Sequence, residues 1–302
     1  MMHVCMLANQ AWLTPVLLAP AAMPGMLHSS FRTAVNLRIT PTPGKVRLLT
    51  LLPDHYPAVP DSLTLKPADL ELVRRQPIGT QLTKEKGRIR IGKTNDLELF
   101  LPESINRFAW LRPVKATCDW RDAIRAFPDY LPDFANEHGL AHLPAADQNQ
   151  VAGQLHRFAR ALLRGDTARA SAALCRVVGL GRGLTPAADD RLVSIMGLTG
   201  LIRQQLGQVP IGLAMEDLLP GRTTDVSSKY LVCADEGYYP SSLTALWQAI
   251  LENTCREWPA VIQAVAAIGG TSGRDYLAGT AIACWETTAF LSAVKEQNHA
   301  IC

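Results

Sequence analysis

Residues 31–52 read FRTAVNLRITPTPGKVRLLTLL, and this stretch decides the fold of the first half of the chain. Apolar and polar side chains alternate from Phe31 to Ile39, which is the period of a β-strand with one buried face. A second apolar stretch runs from Lys45 to Leu52, and Pro41-Thr42-Pro43-Gly44 separates the two with residues typical of a turn. The stretch therefore predicts a β-hairpin.

The same pattern continues outward from this hairpin. A second pair of short alternating segments covers 79–83 and 88–91, and a further one covers 97–101. Up to about residue 115 the chain predicts a mostly antiparallel β-rich domain. Prolines are dense between residues 113 and 144, and this density indicates loops that connect two domains.

Beyond the prolines the apolar period becomes helical. Asp147 can begin a helix that carries Val151, Leu155, Phe158 and Leu162 on one face. Further helices are predicted at about 167–178, 187–206, 225–236, 241–254, 258–268 and 274–294. The predicted fold class is α+β, with a β-rich antiparallel domain over 1–133 and an all-helical domain over 134–302.

Length and composition agree with two ordinary globular domains. The chain has 302 residues, of which 48% are hydrophobic and 19% charged, and its net charge of +3 is too small to predict nucleic-acid binding. The seven cysteines are odd in number and form no CxxC pair, so we expect reduced thiols in a cytoplasmic protein without a metal site. The apolar segment 4–27 is expected to pack in the fold, with an export signal as the alternative; no membrane span is predicted.

Residues 178–190, VGLGRGLTPAADD, form the most unusual segment. Three glycines at alternate positions let the backbone approach a ligand, and Thr185-Pro186 is a strong helix start. A glycine loop before a helix offers free N–H groups to an anion, although a tight structural connection explains the same residues. Asp189 and Asp190 are also favoured at any helix start by the helix dipole. Adjacent helix positions diverge by about 100°, so at most one of the two is expected to face such a site.

Two later segments repeat this design. Residues 221–228, GRTTDVSS, and residues 269–275, GGTSGRD, each place glycine, hydroxyl groups and an arginine before a predicted helix. Each alone is explained as a capped helix start. If all three segments converge, their N–H groups and Arg222 or Arg274 would hold a phosphate or a carboxylate.

Together these segments resemble one bacterial family. Residues 179–190 are similar to its GLGxGLTPxxDD signature, residues 222–227 to its RTTxxS segment and residues 268–275 to its IGxTSGxD segment. Order and spacing agree over roughly residues 28–290. Arg182 stands where the family usually has Pro, and Ala187-Ala188 where it has Ser-Gly, which predicts a different anion or reduced activity.

The family includes one subunit of the multi-subunit oxamate carbamoyltransferase of anaerobic allantoin breakdown. The resemblance implies carbamoyl transfer between carbamoyl phosphate and an amide such as oxamate, with partner subunits and without a cofactor. Asp190 and Asp275 are the candidate proton acceptors. The predicted substrate-binding residues are Gly181, Gly183, Leu184, Thr185, Arg222, Thr223, Thr224, Ser227, Thr271, Ser272 and Gly273. Two alternatives are a non-catalytic docking subunit and a nucleotide or acyl-phosphate enzyme whose Asp pair binds Mg²⁺.

Overall fold

The computed structural model describes residues 4–19, 21–92, 96–102, 106–107, 116, 119–131 and 139–299. The chain divides into two compact units, Met1–Ala109 and Trp110–Cys302. The first is β-rich and the second is helical, so the predicted fold class is confirmed. The division lies before the expected boundary at residue 133, because Trp120 and Ile124 are buried in the helical core.

The first unit is built on one mixed sheet. Its strands, among the described residues, are β1 Val4–Leu7, β2 Gln10–Leu13, β3 Met23–Ser30, β4 Val35–Thr42, β5 Lys45–Pro53, β6 Ser62–Leu65, β7 Gln81–Glu85, β8 Arg88–Ile91, β9 Leu97–Phe100 and β10 Asn106–Arg107. Two short helices accompany them, α1 Pro15–Leu18 and α2 Pro67–Arg74. The strand order is β1-β9-β8-β7-β3-β4-β5-β6-β2-β10.

Most neighbouring strands of this sheet are antiparallel. The predicted hairpin is present as β4 and β5, which pair with Leu37 opposite Leu49, and β7, β8 and β9 form the second predicted set. The pairs β1–β9, β5–β6 and β2–β10 are parallel, a feature that the sequence pattern did not indicate. They arise because β1, β2 and β6 pair with strands reached by longer connections, and only antiparallel neighbours can be joined by a two-residue turn.

The core of the first unit explains its alternating sequence. Val35, Leu37 and Ile39 are fully buried, and β1 and β2 contribute Met6, Ala11 and other apolar side chains to the same cluster. Residues 4–7 and 10–13 therefore belong to the sheet. Helix α2, which the sequence analysis missed, adds Leu70 and Val73. Its first residue is Pro67, and proline at a first helical position begins a helix as readily as it interrupts one.

The second unit consists of helices throughout its described part. They are α3 Trp120–Ala126 followed by the 3₁₀ turn Phe127–Tyr130, α4 Ala145–Arg164, α5 Thr167–Leu174, α6 Ala187–Gln205, α7 Met215–Leu218, α8 Asp225–Asp235, α9 Ser241–Leu251, α10 Trp258–Ala266 and α11 Ser272–His299. All seven predicted helices are present, and α3 and α7 are additional. Helix α6 is buried on every side from Ala187 to Ile202, so it forms the centre of this unit.

Helix α11 lies against α6 along the longest helix–helix contact of the unit. Residues 272–294 of α11 are long and apolar enough to span a membrane, and half of that stretch is buried. Its contacts with α6, α4 and α10 are those of a core helix. Gly279 allows the close approach, because a Cβ there would lie 2.5 Å from the carbonyl oxygen of Arg191 and 2.8 Å from its Cα.

We expect Gly279→Ala to destabilise the protein by about 1–3 kcal/mol, because the new methyl group meets backbone that cannot move without separating α11 from α6. Gly153→Ala is the matched control. Gly153 lies on the exposed face of α4 with open space around it, so alanine there is expected to be neutral or to stabilise the helix by up to about 1 kcal/mol. Urea denaturation of the two variants measures the difference, and equal stabilities would contradict this account of Gly279.

Candidate functional site

The three segments selected from the sequence meet at the N-terminal end of α6. The hydroxyl oxygens of Thr185 and Ser272 lie 2.8 Å apart and join the glycine loop to the start of α11. The hydroxyl of Thr224, the N-cap of α8, donates to the carbonyl of Leu184. Residues 179–190, 222–227 and 271–275, which are distant in sequence, therefore form one cluster within the helical unit.

The glycine loop is shaped by close backbone packing. Gly179 has φ +81° and a Cβ there would collide with the carbonyl oxygen of Arg222, while Gly181 has φ +125° and a Cβ would collide with the backbone nitrogen of Ala187. Both glycines are thus required by the fold. Gly183 has open space around it and φ +98°. Within the described structure, the N–H groups of residues 181–184 donate to no protein acceptor.

Asp189 ties the glycine loop to α8. One carboxylate oxygen accepts the N–H of Gly179 at 2.7 Å, and the other accepts the hydroxyls of Ser227 at 2.6 Å and of Thr223. Burial raises the pKa of Asp189, and its three donors oppose that rise. Because both oxygens are occupied and the side chain is 1% exposed, Asp189 holds the loop in place.

Asp190 turns toward α11 instead. The hydroxyls of Ser272, Tyr276 and Thr185 are its neighbours, yet its Oδ2 has no hydrogen-bond partner and its side chain is 2% exposed. Burial raises the pKa of Asp190 well above its ordinary range, and the charge of Asp275 raises it further against the opposing effect of the hydroxyls. The two aspartates turn to different helices, Asp189 to α8 and Asp190 to α11, and the expectation that at most one of them faces an anion site stays a prediction. Both turn inward, because α6 has a packed neighbour on each side.

Asp275 is fully buried and forms an ion pair with Arg191. Its Oδ1 accepts Nε and Nη2 of Arg191 at 3.1 and 3.0 Å, and its Oδ2 accepts the N–H of Gly139 at 3.2 Å. Burial raises the pKa of Asp275, while Arg191 lowers it. The pair joins α6 to α11 beside Asp190. Arg191 was not among the predicted site residues, since an arginine in a helix is usually exposed and no local pattern marked this one.

The remaining predicted residues fall into two groups. Arg222 is exposed, as is Arg182, and neither makes an ion pair with any described residue; their loops touch where Gly179 meets the Arg222 backbone. Gly273, in contrast, is buried and a Cβ there would collide with the carbonyl oxygen of Val265. Gly273 therefore serves the packing of α11 on α10. Thr271 is exposed and its carbonyl accepts the N–H of Asp275.

The chain is thus a two-domain protein with a β-rich unit and a helical unit, and in the helical unit a glycine loop and two buried aspartates lie at the start of α6. Each of the two units matches a protein-family model. Residues 8–106 match the model of the AllH family N-terminal domain, and residues 177–284 match the model of oxamate carbamoyltransferase subunit AllH. The chain belongs to the AllH family. No solved structure matches it.

We expect Asp190→Asn to flatten the dependence of stability on pH. Because the folded pKa of Asp190 lies above its unfolded value, the folded state holds more protons, so the wild type loses stability as pH rises from about 4 toward that raised pKa. Asparagine cannot ionise and does not contribute to this loss.

Urea denaturation between about pH 4.5 and about pH 7.5 measures the effect. Asp147→Asn is the control, because Asp147 is an exposed aspartate in the first turn of α4. A difference between wild type and Asp190→Asn that stays constant over this range would show that Asp190 does not contribute to the pH dependence.

Proposed function

We propose that the protein acts, with partner subunits, in carbamoyl transfer between carbamoyl phosphate and an amide of the oxamate type. The family is described as a subunit of oxamate carbamoyltransferase, and this supports the reaction class. Two features support the proposal: among the described residues, the N–H groups of residues 181–184 donate to no acceptor and the exposed Arg182 and Arg222 form no ion pair, and the buried Asp190 has a carboxyl oxygen without a partner. In this proposal the loop and the arginines bind an anion, and the carboxyl of Asp190 transfers a proton.

The loop supplies the anion-binding groups. The N–H groups in the first turn of α6 are less available to an anion. The N–H of Ala188 donates to the carbonyl of Leu180, and the N–H of Asp189 donates to the carbonyl of Pro186. The phosphate or carboxylate would therefore bind to the N–H groups of residues 181–184. Arg222 and Arg182 can add charge-assisted, bidentate hydrogen bonds. In this member of the family Arg182 thus adds a cation where proline is usual.

Carbamoyl transfer mainly requires that the protein orient the two substrates and stabilise the charge that develops on the carbonyl oxygen. The amide nitrogen of the acceptor attacks the carbonyl carbon of carbamoyl phosphate, the bond from that carbon to the phosphate oxygen breaks, and the proton of the nitrogen passes to Asp190. In the reverse direction Asp190 returns the proton to the leaving nitrogen. Burial raises the pKa of Asp190, so this carboxyl holds a proton more readily than an exposed aspartate does, which suits a group that takes up and returns a proton.

Asp275 has a different role in this proposal. Both of its oxygens are occupied by Arg191 and Gly139, so it is a positioning residue for Asp190. The hydroxyls of Thr185 and Ser272 lie near Asp190 and 2.8 Å from each other, and they can orient the acceptor. The oxygens of Asp189 are filled by protein donors. Because the two adjacent aspartates turn to different helices, a shared Mg²⁺ is disfavoured and the nucleotide-enzyme alternative with it.

A non-catalytic docking subunit is the second candidate function. The observation that favours it is the 2% exposure of Asp190, because a proton acceptor must reach its substrate. Carbamoyl transfer therefore requires movement of the glycine loop, whereas docking does not. The carbamoyl-transfer proposal also includes a cytoplasmic location and a small anionic substrate.

We expect Arg222→Ala to weaken the binding of carbamoyl phosphate about tenfold to hundredfold, the effect of losing one charge-assisted hydrogen bond. Isothermal titration of the full chain, with partner subunits present if the chain alone does not bind, measures the affinity. Arg157→Ala is the control, since Arg157 is an exposed arginine of α4 with no ion pair among described residues. Equal affinity of Arg222→Ala and wild type would remove Arg222 from the site.

We expect Asp190→Asn to lower the rate of carbamoyl transfer by the reconstituted complex about a hundredfold or more, because proton transfer of this kind contributes about 10²–10⁴-fold. The comparison with Asp147→Asn is made at a temperature where both variants remain folded. Full activity of Asp190→Asn would assign Asp190 a structural role and favour the docking subunit.

A further inference from the structure

A pocket of about 190 Å³ opens in the helical unit, between the C-terminal half of α6, the connection after α6 and the corner between α8 and α9. Met196, Thr199 and Arg203 line it from α6. Asp190 and Arg203 are 13 residues apart, which is about 20 Å along the helix axis. The pocket is therefore distinct from the candidate site at the start of α6.

Aliphatic side chains form most of its wall. Leu162 and Met196 are buried at its floor, and Val209, Pro210 and Ile211 form one side. The hydroxyl of Thr199 is already satisfied, since it donates to the carbonyl of Ile195 at 2.6 Å. These surfaces favour a short aliphatic group.

The lining of the pocket includes one cation, Arg203, and one carboxylate, Asp235, which form no ion pair with each other. Arg203 donates from Nε to the carbonyl of Val209 and from Nη1 to the carbonyls of Leu162 and Leu163, so its guanidinium is held in place. Its Nη2 donates to no described residue. Asp235 accepts the N–H of Leu213 at 2.6 Å and that of Met215 at 3.2 Å, one on each oxygen.

Both charged groups keep capacity for a ligand. Each carboxylate oxygen has two lone pairs, so Asp235 can accept a further hydrogen bond on each oxygen. Neither Arg203 nor Asp235 forms an ion pair within the described part of the chain. Burial lowers the pKa of Arg203, and a bound anion would offset that cost.

We propose that this pocket binds a small aliphatic amino acid, whose carboxylate pairs with Arg203, whose ammonium pairs with Asp235 and whose side chain packs on Leu162 and Met196. A cavity of about 150 Å³ holds a six-carbon ring, so a pocket of about 190 Å³ has room for roughly eight non-hydrogen atoms. Valine has this size. The pocket thus recognises a zwitterion with a short apolar body, independently of carbamoyl transfer.

The first arm of the test changes the ligand. Isothermal titration and thermal melting of the full chain compare L-valine with 3-methylbutanoate, which lacks the ammonium, and with 2-methylpropylamine, which lacks the carboxylate. L-valine is expected to bind and to raise the melting temperature, and each analogue to bind at least about tenfold more weakly. No binding of L-valine, or equal binding of either analogue, overturns the proposal.

The second arm changes the protein without removing a hydrogen bond. Gly212 lies at the exposed edge of the pocket, and the nearest atom to a Cβ there is Oδ1 of Asp235 at 4.0 Å. Gly212→Leu is expected to fill the pocket and abolish L-valine binding while the melting temperature without ligand stays unchanged. Gly153→Ala, which is remote on α4, is expected to bind as the wild type does. L-valine bound equally by Gly212→Leu would show that it binds elsewhere.

Discussion

The helical unit depends on the close contact between α6 and α11, which Arg191 and Asp275 fix from within. Gly279 brings the two helices together, and the buried ion pair then sets their register. Removing one partner of such a pair leaves an unpaired buried charge, which costs about 3–5 kcal/mol. Since α11 begins at Ser272 and α6 at Ala187, this register also places Ser272 beside Thr185 and Asp190.

The two adjacent aspartates show how neighbouring residues acquire different chemistry. The carboxylate oxygens of Asp189 accept three hydrogen bonds, from the glycine loop and from the start of α8. Asp190 has a buried oxygen with no partner and lies near the negative charge of Asp275. Their environments separate them, because complete burial and the nearby charge of Asp275 raise the pKa of Asp190 against the opposing effect of three hydroxyls. Asp189 is therefore a structural tie, and in the proposed function Asp190 is the group that transfers the proton.

The glycines of the signature also divide by environment. Gly179 and Gly181 are needed for the passage of backbone against Arg222 and Ala187, and Gly273 for the packing of α11 on α10. Part of the glycine signature is therefore required by close packing of the backbone. The same packing leaves residues 182–184 exposed, and the N–H groups of residues 181–184 donate to no acceptor in the described part of the chain, which is why the proposed function assigns the anion to them.

The sequence by itself determined the α+β class, the hairpin of β4 and β5 and the seven long helices, because local period and turn residues decide these elements. The resemblance of its three glycine and hydroxyl segments also indicated the family. Helices α1, α2, α3 and α7 were not predicted; α1 and α2 begin at Pro15 and Pro67, and proline fits both a loop and a helix start. The parallel strand pairs, the Arg191–Asp275 pair and the inward turn of both Asp189 and Asp190 were decided only by the tertiary structure. Each depends on contacts between residues far apart in the chain, and neither propensity nor spacing carries information about which buried partner a side chain meets.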